Sequence, residues 1–229
     1  MPDAALSENL GAAALRWRAH LQAPCPPLDP GAWAPGARPG RAAAWSEGAR
    51  RHHPNRAGQR EWGTELTSTL TREGQASIFV TVDHGSTECV GIHAACRATR
   101  FEALEPLRQG MRACFGAFAA GIASGLKLRH DHGSQFVADD FQRELAFLGI
   151  EPSPAFVREP EGNGCVERFI RTLKENLLWV RRFETIEELR LALLEFQRLY
   201  NHTWIVERHG YRTPAQVRAD QLRTLAAAA

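Results

Sequence analysis

Apolar residues recur along this chain in three regimes. Over residues 5–22, Leu6, Leu10, Ala14, Trp17 and Leu21 return every three or four positions, which predicts one amphipathic helix. From Ala23 to about Gly58 the periodicity disappears. Pro24, Pro26, Pro27, Pro30, Pro35 and Pro39 crowd a stretch of Ala, Gly and Arg that buries too little surface to offset its chain entropy, so it is expected to be disordered. Its run Arg50-Arg51-His52-His53 reads as a solvated cluster or as a phosphate contact.

At Trp62 the pattern changes. Residues 62–70 and 77–83 carry strand-forming Thr, Ile, Phe and Val, and Arg72-Glu73-Gly74-Gln75 between them reads as a hairpin turn. Asp83-His84-Gly85-Ser86 makes a second turn into a strand over Thr87–Ala94. Folding the hairpin about residue 73 or 74 places Glu65 opposite Val82 and close to Asp83. Two acids are thus expected to converge at one end of the sheet.

The remainder alternates helix and strand. Phe101–Ala119 is expected to be helical, with Pro106 confined to its first turn. Leu126–His130 is a short strand with Asp131 at its C-terminal end, and Asp139–Leu148 is a helix with Phe141, Leu145 and Leu148 inward. Glu151–Gly164 reads as a Pro/Gly loop. A helix over Cys165–Val180, capped by Asn163, would bury Val166, Phe169, Ile170, Leu173, Leu177 and Val180. On another face Glu167, Arg171 and Lys174 follow the i, i+4, i+7 spacing. A last helix over Ile186–Tyr200 completes an α/β order that fits one mixed sheet covered on its faces. Nothing distinctive marks Ala226–Ala229.

Composition narrows the class only modestly. The chain has 229 residues, 44% hydrophobic and 24% charged, with no run of eighteen apolar residues and no leader-like start, so no membrane partner and a cytoplasmic location are expected. Five cysteines at irregular spacings fit neither a disulfide framework nor a CxxC zinc site. A net charge of +2 does not by itself mark a nucleic-acid binder. Only Lys127 and Lys174 are lysine among 28 basic residues; the arginine bias suits bidentate phosphate contact and equally reflects a G/C-rich gene.

Chemistry enters with the carboxylates. In-line phosphodiester displacement uses two divalent cations about 4 Å apart, one at the attacking and one at the leaving oxygen. Mg²⁺ takes oxygen ligands, so such a site needs carboxylates from different segments. Asp131 at a strand end, Glu167 on a helix and Glu65 on a sheet strand supply that set. Taken singly, each has an ordinary reading: Asp131 as a turn residue, Glu167 as a first-turn acid, Lys174 as a surface lysine, Arg171 as a partner of Glu167 or Glu175, Asp83 as a hairpin corner. His130 and His132 read as incidental neighbours of Asp131. The chemical case rests on the joint pattern.

Residues 62 to about 217, two thirds of the chain, resemble the integrase-type catalytic core of bacterial insertion-sequence transposases, DDE recombinases that share a ribonuclease-H-like fold with retroviral integrases. The resemblance is carried by Asp131-His132-Gly133-Ser134-Gln135-Phe136, by Glu159-Pro160-Glu161-Gly162-Asn163-Gly164-Cys165-Val166-Glu167, by Lys174, and by Tyr200-Asn201 and Arg212-Thr213-Pro214-Ala215. Thirty-five residues separate Asp131 from Glu167, and Lys174 follows seven positions later. The resemblance implies that Asp131 and Glu167 bind Mg²⁺ or Mn²⁺ and that Lys174 contacts transposon-end DNA, with Arg171 on the same face.

One departure stands out. The family pattern resembles Trp-x-x-Asp-x-Thr, whereas this chain has Trp62-Gly63-Thr64-Glu65-Leu66-Thr67. The extra methylene exceeds the roughly 0.5 Å tolerance of a catalytic constellation, and about 1 Å of misplacement costs on the order of a hundredfold in rate. The expected organisation is therefore an N-terminal helix and tail (1–61), an integrase-like core (62–217) and a C-terminal tail (218–229). The expected activity is metal-dependent 3′-end cleavage and strand transfer, with DNA as partner, homo-oligomers assembled on it, and a companion protein to recognise the element ends. The alternative is a degenerate copy that binds DNA or mixes with active subunits without turnover.

Overall fold

The computed structural model describes residues 60–154 and 163–228. The expectations for the 5–22 helix, the Pro-rich stretch, Arg50–His53 and Glu159–Gly162 lie outside those residues.

Five strands form one mixed sheet in the order β3-β2-β1-β4-β5: β1 (Arg60–Thr71), β2 (Gly74–Asp83), β3 (Cys89–Ala95), β4 (Leu126–His130) and β5 (Glu151–Pro154). The first three are an antiparallel meander; β4 joins β1 in parallel, and β5 joins β4 in parallel. The helices are α1 (Arg100–Phe115), α2 (Ser134–Val137), α3 (Asp139–Leu148), α4 (Gly164–Leu173), α5 (Ile186–Thr203) and α6 (Pro214–Ala228).

Side-chain alternation splits the core in two. Trp62, Phe79, Leu126 and Leu128 face α1, α2 and α3 in one apolar cluster, while Ile78, Val80 and Val82 face α4 and α5 in the other. Phe79, Phe136, Phe141, Phe169 and Phe183 are completely enclosed, each contributing about 1.5–3 kcal/mol of burial. Both faces of the sheet are covered, as the α/β pattern predicted.

Several boundaries move for local reasons. The first hairpin turns on Arg72-Glu73, with Thr71 paired to Gly74, Gly74 at φ 128° and the Thr71 hydroxyl donating to the Gly74 carbonyl. The tip carries Glu73, whose carboxylate accepts from the Ile186 backbone at 2.8 Å and caps α5. Thr87, expected in a strand, sits at φ 64° and belongs to the turn before β3. Pro106 lies seven residues into α1, beyond the first turn. It is tolerated where the helix presses on Gly91 of β3: any side chain there would collide with the Pro106 carbonyl.

Residues 151–154, expected to be loop, form β5. Pro152 and Pro154 are acceptable because β5 is an edge strand. The expected tail from 218 lies within α6, whose start explains the Arg212-Thr213-Pro214-Ala215 motif. Thr213 N–H donates to Gln216 Oε1 at 2.9 Å, the Gln216 N–H returns to the Thr213 hydroxyl at 3.3 Å, and Pro214 takes the first helical position. Asn201 also finds its reason: its carboxamide exchanges two 2.9 Å hydrogen bonds with the Cys89 backbone, stitching α5 to the outer strand β3.

Candidate active site

Register decides which acids meet. The parallel ladder between β1 and β4 ends at Gly63 opposite Arg129; two residues further along each strand come Glu65 and Asp131, with the same alternation phase. Glu65 lies opposite Val80 on β2, on the face covered by α4 and α5. The N-terminal half of α4 comes down on that face because Gly63 has no side chain. A methyl group there would lie within 2.5 Å of Val166, Asn163 and His84.

That approach delivers Glu167. The Glu65 carboxyl is raised from 4.5 to about 7, first by burial, then by the negative charges of Glu167 and Asp131, against the opposing pull of Lys174. Four side chains, from β1, the residue after β4, α4 and the residue that follows α4, therefore share one electrostatic environment. Glu65 Oε2 is buried without a hydrogen-bond partner, whereas Asp131 and Glu167 are exposed. Asp131 is oriented by its own turn, with Oδ1 accepting from the Gly133 N–H at 2.8 Å.

The helix carrying Glu167 departs from the expected single run to Val180. It is α-helical to Leu173 and then opens into a π turn over Lys174–Leu178, closed by the Trp179 N–H to the Lys174 carbonyl at 2.9 Å. Such turns recur at functional sites. Beyond it, Val180, expected in the apolar stripe, is exposed, as is Trp179. Arg171 engages Glu175 at 2.8 Å on the open surface, while Lys174 is the cation that acts on Glu65.

Asp83 does not join the group. The hairpin turns one residue earlier than a fold about 73 or 74, so Glu65 pairs with Val80 rather than Val82, and Asp83 pairs with Trp62. Trp62 and Glu65 lie three residues apart, hence on opposite faces. Asp83 is spent on the Gly85 N–H at 2.8 Å, the Ser86 hydroxyl at 3.1 Å and Arg218 at 3.5 Å. His130 packs against Phe136 and Phe141 in the core, with Nδ1 2.7 Å from the Asp131 carbonyl oxygen. Asn163 makes no side-chain cap for α4; its amide reaches the Thr64 carbonyl at 3.4 Å instead.

The donor chemistry suits a hard divalent cation: three carboxylates, one of them holding an orphaned buried oxygen. Among the described residues, no three His, Cys, Asp or Glu side chains are drawn into a ready cation cage. Gly63, His84 and Asn163 were not singled out as site residues from the sequence. The signal available was a glycine two positions before the strand acid, in a strand otherwise rich in large residues.

Comparison with known proteins agrees with this architecture. Residues 148–214 match the integrase core domain family, a span that includes Glu167 and Lys174. The chain is 28% identical, over 62% of its length, to the transposase for insertion sequence element IS904 of Lactococcus lactis, and spans 54% of that relative. The catalytic core domain of BIV integrase superposes with a TM-score of 0.51 at 20% identity, covering 73% of this chain and 98% of that one. The HTLV-2 integrase catalytic core in complex with magnesium gives 0.50 at 19%, covering 69% and 95%. The fold is thus the ribonuclease-H-like fold of integrase catalytic cores. Within that fold, the chain is similar in sequence to integrase-type transposases of bacterial insertion sequences.

Proposed function

We propose that this chain is a transposase catalytic core that cleaves 3′ ends of its element and transfers them to target DNA. The observation that carries this reading is that the Glu65 carboxyl, on the sheet face beneath α4, is raised to about 7 by burial first and then by the charges of Glu167 and Asp131. Glu65, Asp131 and Glu167 would hold Mg²⁺ or Mn²⁺, and magnesium is present in the HTLV-2 integrase core of similar fold. Bound there, the cations would activate the attacking oxygen and neutralise the leaving one.

The residues of the chain supply the rest. Glu65, held half-buried on a strand, gives the least adjustable carboxylate; Asp131 and Glu167, both exposed, would face the DNA. Lys174 lies beside the carboxylates at the start of the π turn and would hold a backbone phosphate near them. Arg171, one turn earlier, would add a phosphate contact on releasing Glu175. DNA ends and target DNA are the partners, with the chain working as a homo-oligomer on them and a companion protein supplying end recognition.

The test is joining of labelled DNA ends, taken from the flanks of the gene, to a target plasmid in Mn²⁺. Joining is expected from the wild type, more strongly from Glu65→Asp, and not from Asp131→Ala. Joining that persists in Asp131→Ala overturns the proposal.

A further inference from the structure

The β2–β3 turn and the C-terminal segment do more than close the fold. Three elements press on Gly63: His84 from the turn, Asn163 from the start of α4, and Val166 one residue before Glu167, all within 2.5 Å of where a side chain would begin. His84 Nε2 and Asn163 Oδ1 are both buried without a hydrogen-bond partner, one able to donate and the other able only to accept. Glu65 is two residues beyond Gly63 on the same face.

His84 is held from behind. Its N–H donates to the Glu61 carbonyl at 2.9 Å, and its carbonyl accepts from Arg208 at 2.5 Å. Arg208 also reaches Cys165 Sγ at 3.8 Å, so one guanidinium ties the turn to the first turn of α4. Arg218 on α6 anchors the same turn through Asp83 at 3.5 Å and Glu88 at 3.1 Å, all three side chains mostly buried. A continuous path runs from the C-terminal segment through the turn to the seat of α4.

We propose that His84, backed by Arg208, is a positioning residue that seats the N-terminus of α4 on Gly63 and thereby sets the separation of Glu167 from Glu65. It touches neither DNA nor reacting atoms. The inference deepens the proposed metal site and rests on that reading for its catalytic consequence.

Three variants of the full chain test it: His84→Gln, which keeps an N–H of similar reach; His84→Met, which fills the space without one; and Arg208→Met at an exposed position. Sub-ångström displacement of Glu167 should weaken Mn²⁺ binding, read by calorimetry, about tenfold in His84→Met and Arg208→Met, with kcat for end joining falling alike and KM for DNA unchanged. His84→Gln should restore both. Wild-type Mn²⁺ affinity in His84→Met and Arg208→Met overturns the inference. If the wild type binds no Mn²⁺, the metal reading fails by itself. Amide hydrogen exchange at Val166 and Glu167 then decides the positioning: faster exchange in His84→Met than in His84→Gln sustains it, and equal rates overturn it.

Discussion

The face of the sheet beneath α4 and the turn between β2 and β3 each hold an acid, and the two are treated in opposite ways. Asp83, which ends β2 and opens that turn, is buried and fully occupied by a backbone N–H, a hydroxyl and Arg218. Glu65, eighteen residues earlier on the paired strand, has a buried oxygen with no partner and two other carboxylates acting on it. A satisfied acid stabilises the fold; an unsatisfied one among like charges is costly and marks a site built for something else.

The largest expected effect lies at the chemistry. Glu167→Gln should abolish end joining while leaving the circular dichroism spectrum and melting temperature near those of the wild type, since Glu167 is exposed. Next in size is Asp83→Ala, which leaves Arg218 with Glu88 alone and the Gly85 N–H and Ser86 hydroxyl without their acceptor, and should cost about 1–3 kcal/mol in urea unfolding. Joining activity in that variant should fall only as far as the folded fraction does. If Asp83→Ala instead lost joining while remaining folded, the division between the two acids would be wrong.

The pH dependence is subtler. In the folded chain Glu65 titrates at about 7 against 4.5 unfolded, so between these values the native state binds the extra proton. Stability should therefore fall as pH rises from 4.5 through 7 and level off above, and Glu65→Gln should flatten this part of the melting-temperature profile. Mn²⁺ should stabilise the wild type more at pH 8 than at pH 6, because the cation competes with that proton. The smallest effect belongs to Arg171→Ala. Its exposed pair with Glu175 should not register in the melting temperature, while DNA binding should lose about one unit of salt slope.

Much of the site was legible along the chain because its signals are local. Asp131 follows a five-residue strand in which buried Leu126 and Leu128 alternate with Lys127 and Arg129, Glu167 lies in the first turn of a helix with an unbroken stripe, and the Asp131–Gly133 turn is written in adjacent residues. The hairpin register was not legible to the residue. Turn chemistry around Arg72–Gln75 permits more than one centre, and a shift of the centre by one residue changes each pairing by two. The observed centre is accompanied by Glu73 capping α5, a contact 113 residues away in sequence. The π turn at Lys174 likewise left the apolar stripe to Leu177 unbroken and so escaped notice.

The amino-acid sequence by itself determined the α/β order, the sheet-covering helices, and the positions of Asp131 at a strand end and Glu167 in the first turn of a helix, because periodicity and spacing are properties of neighbours; the departure at Glu65 is visible only against the family pattern that the chain resembles. Only the tertiary structure decided that Glu65, and not Asp83, feels the charges of Asp131 and Glu167, that Gly63 is the seat of α4, and that Arg208 and Arg218 reach back to brace the turn. Those outcomes depend on strand parity and on contacts between residues as far as 135 positions apart, which no local pattern encodes.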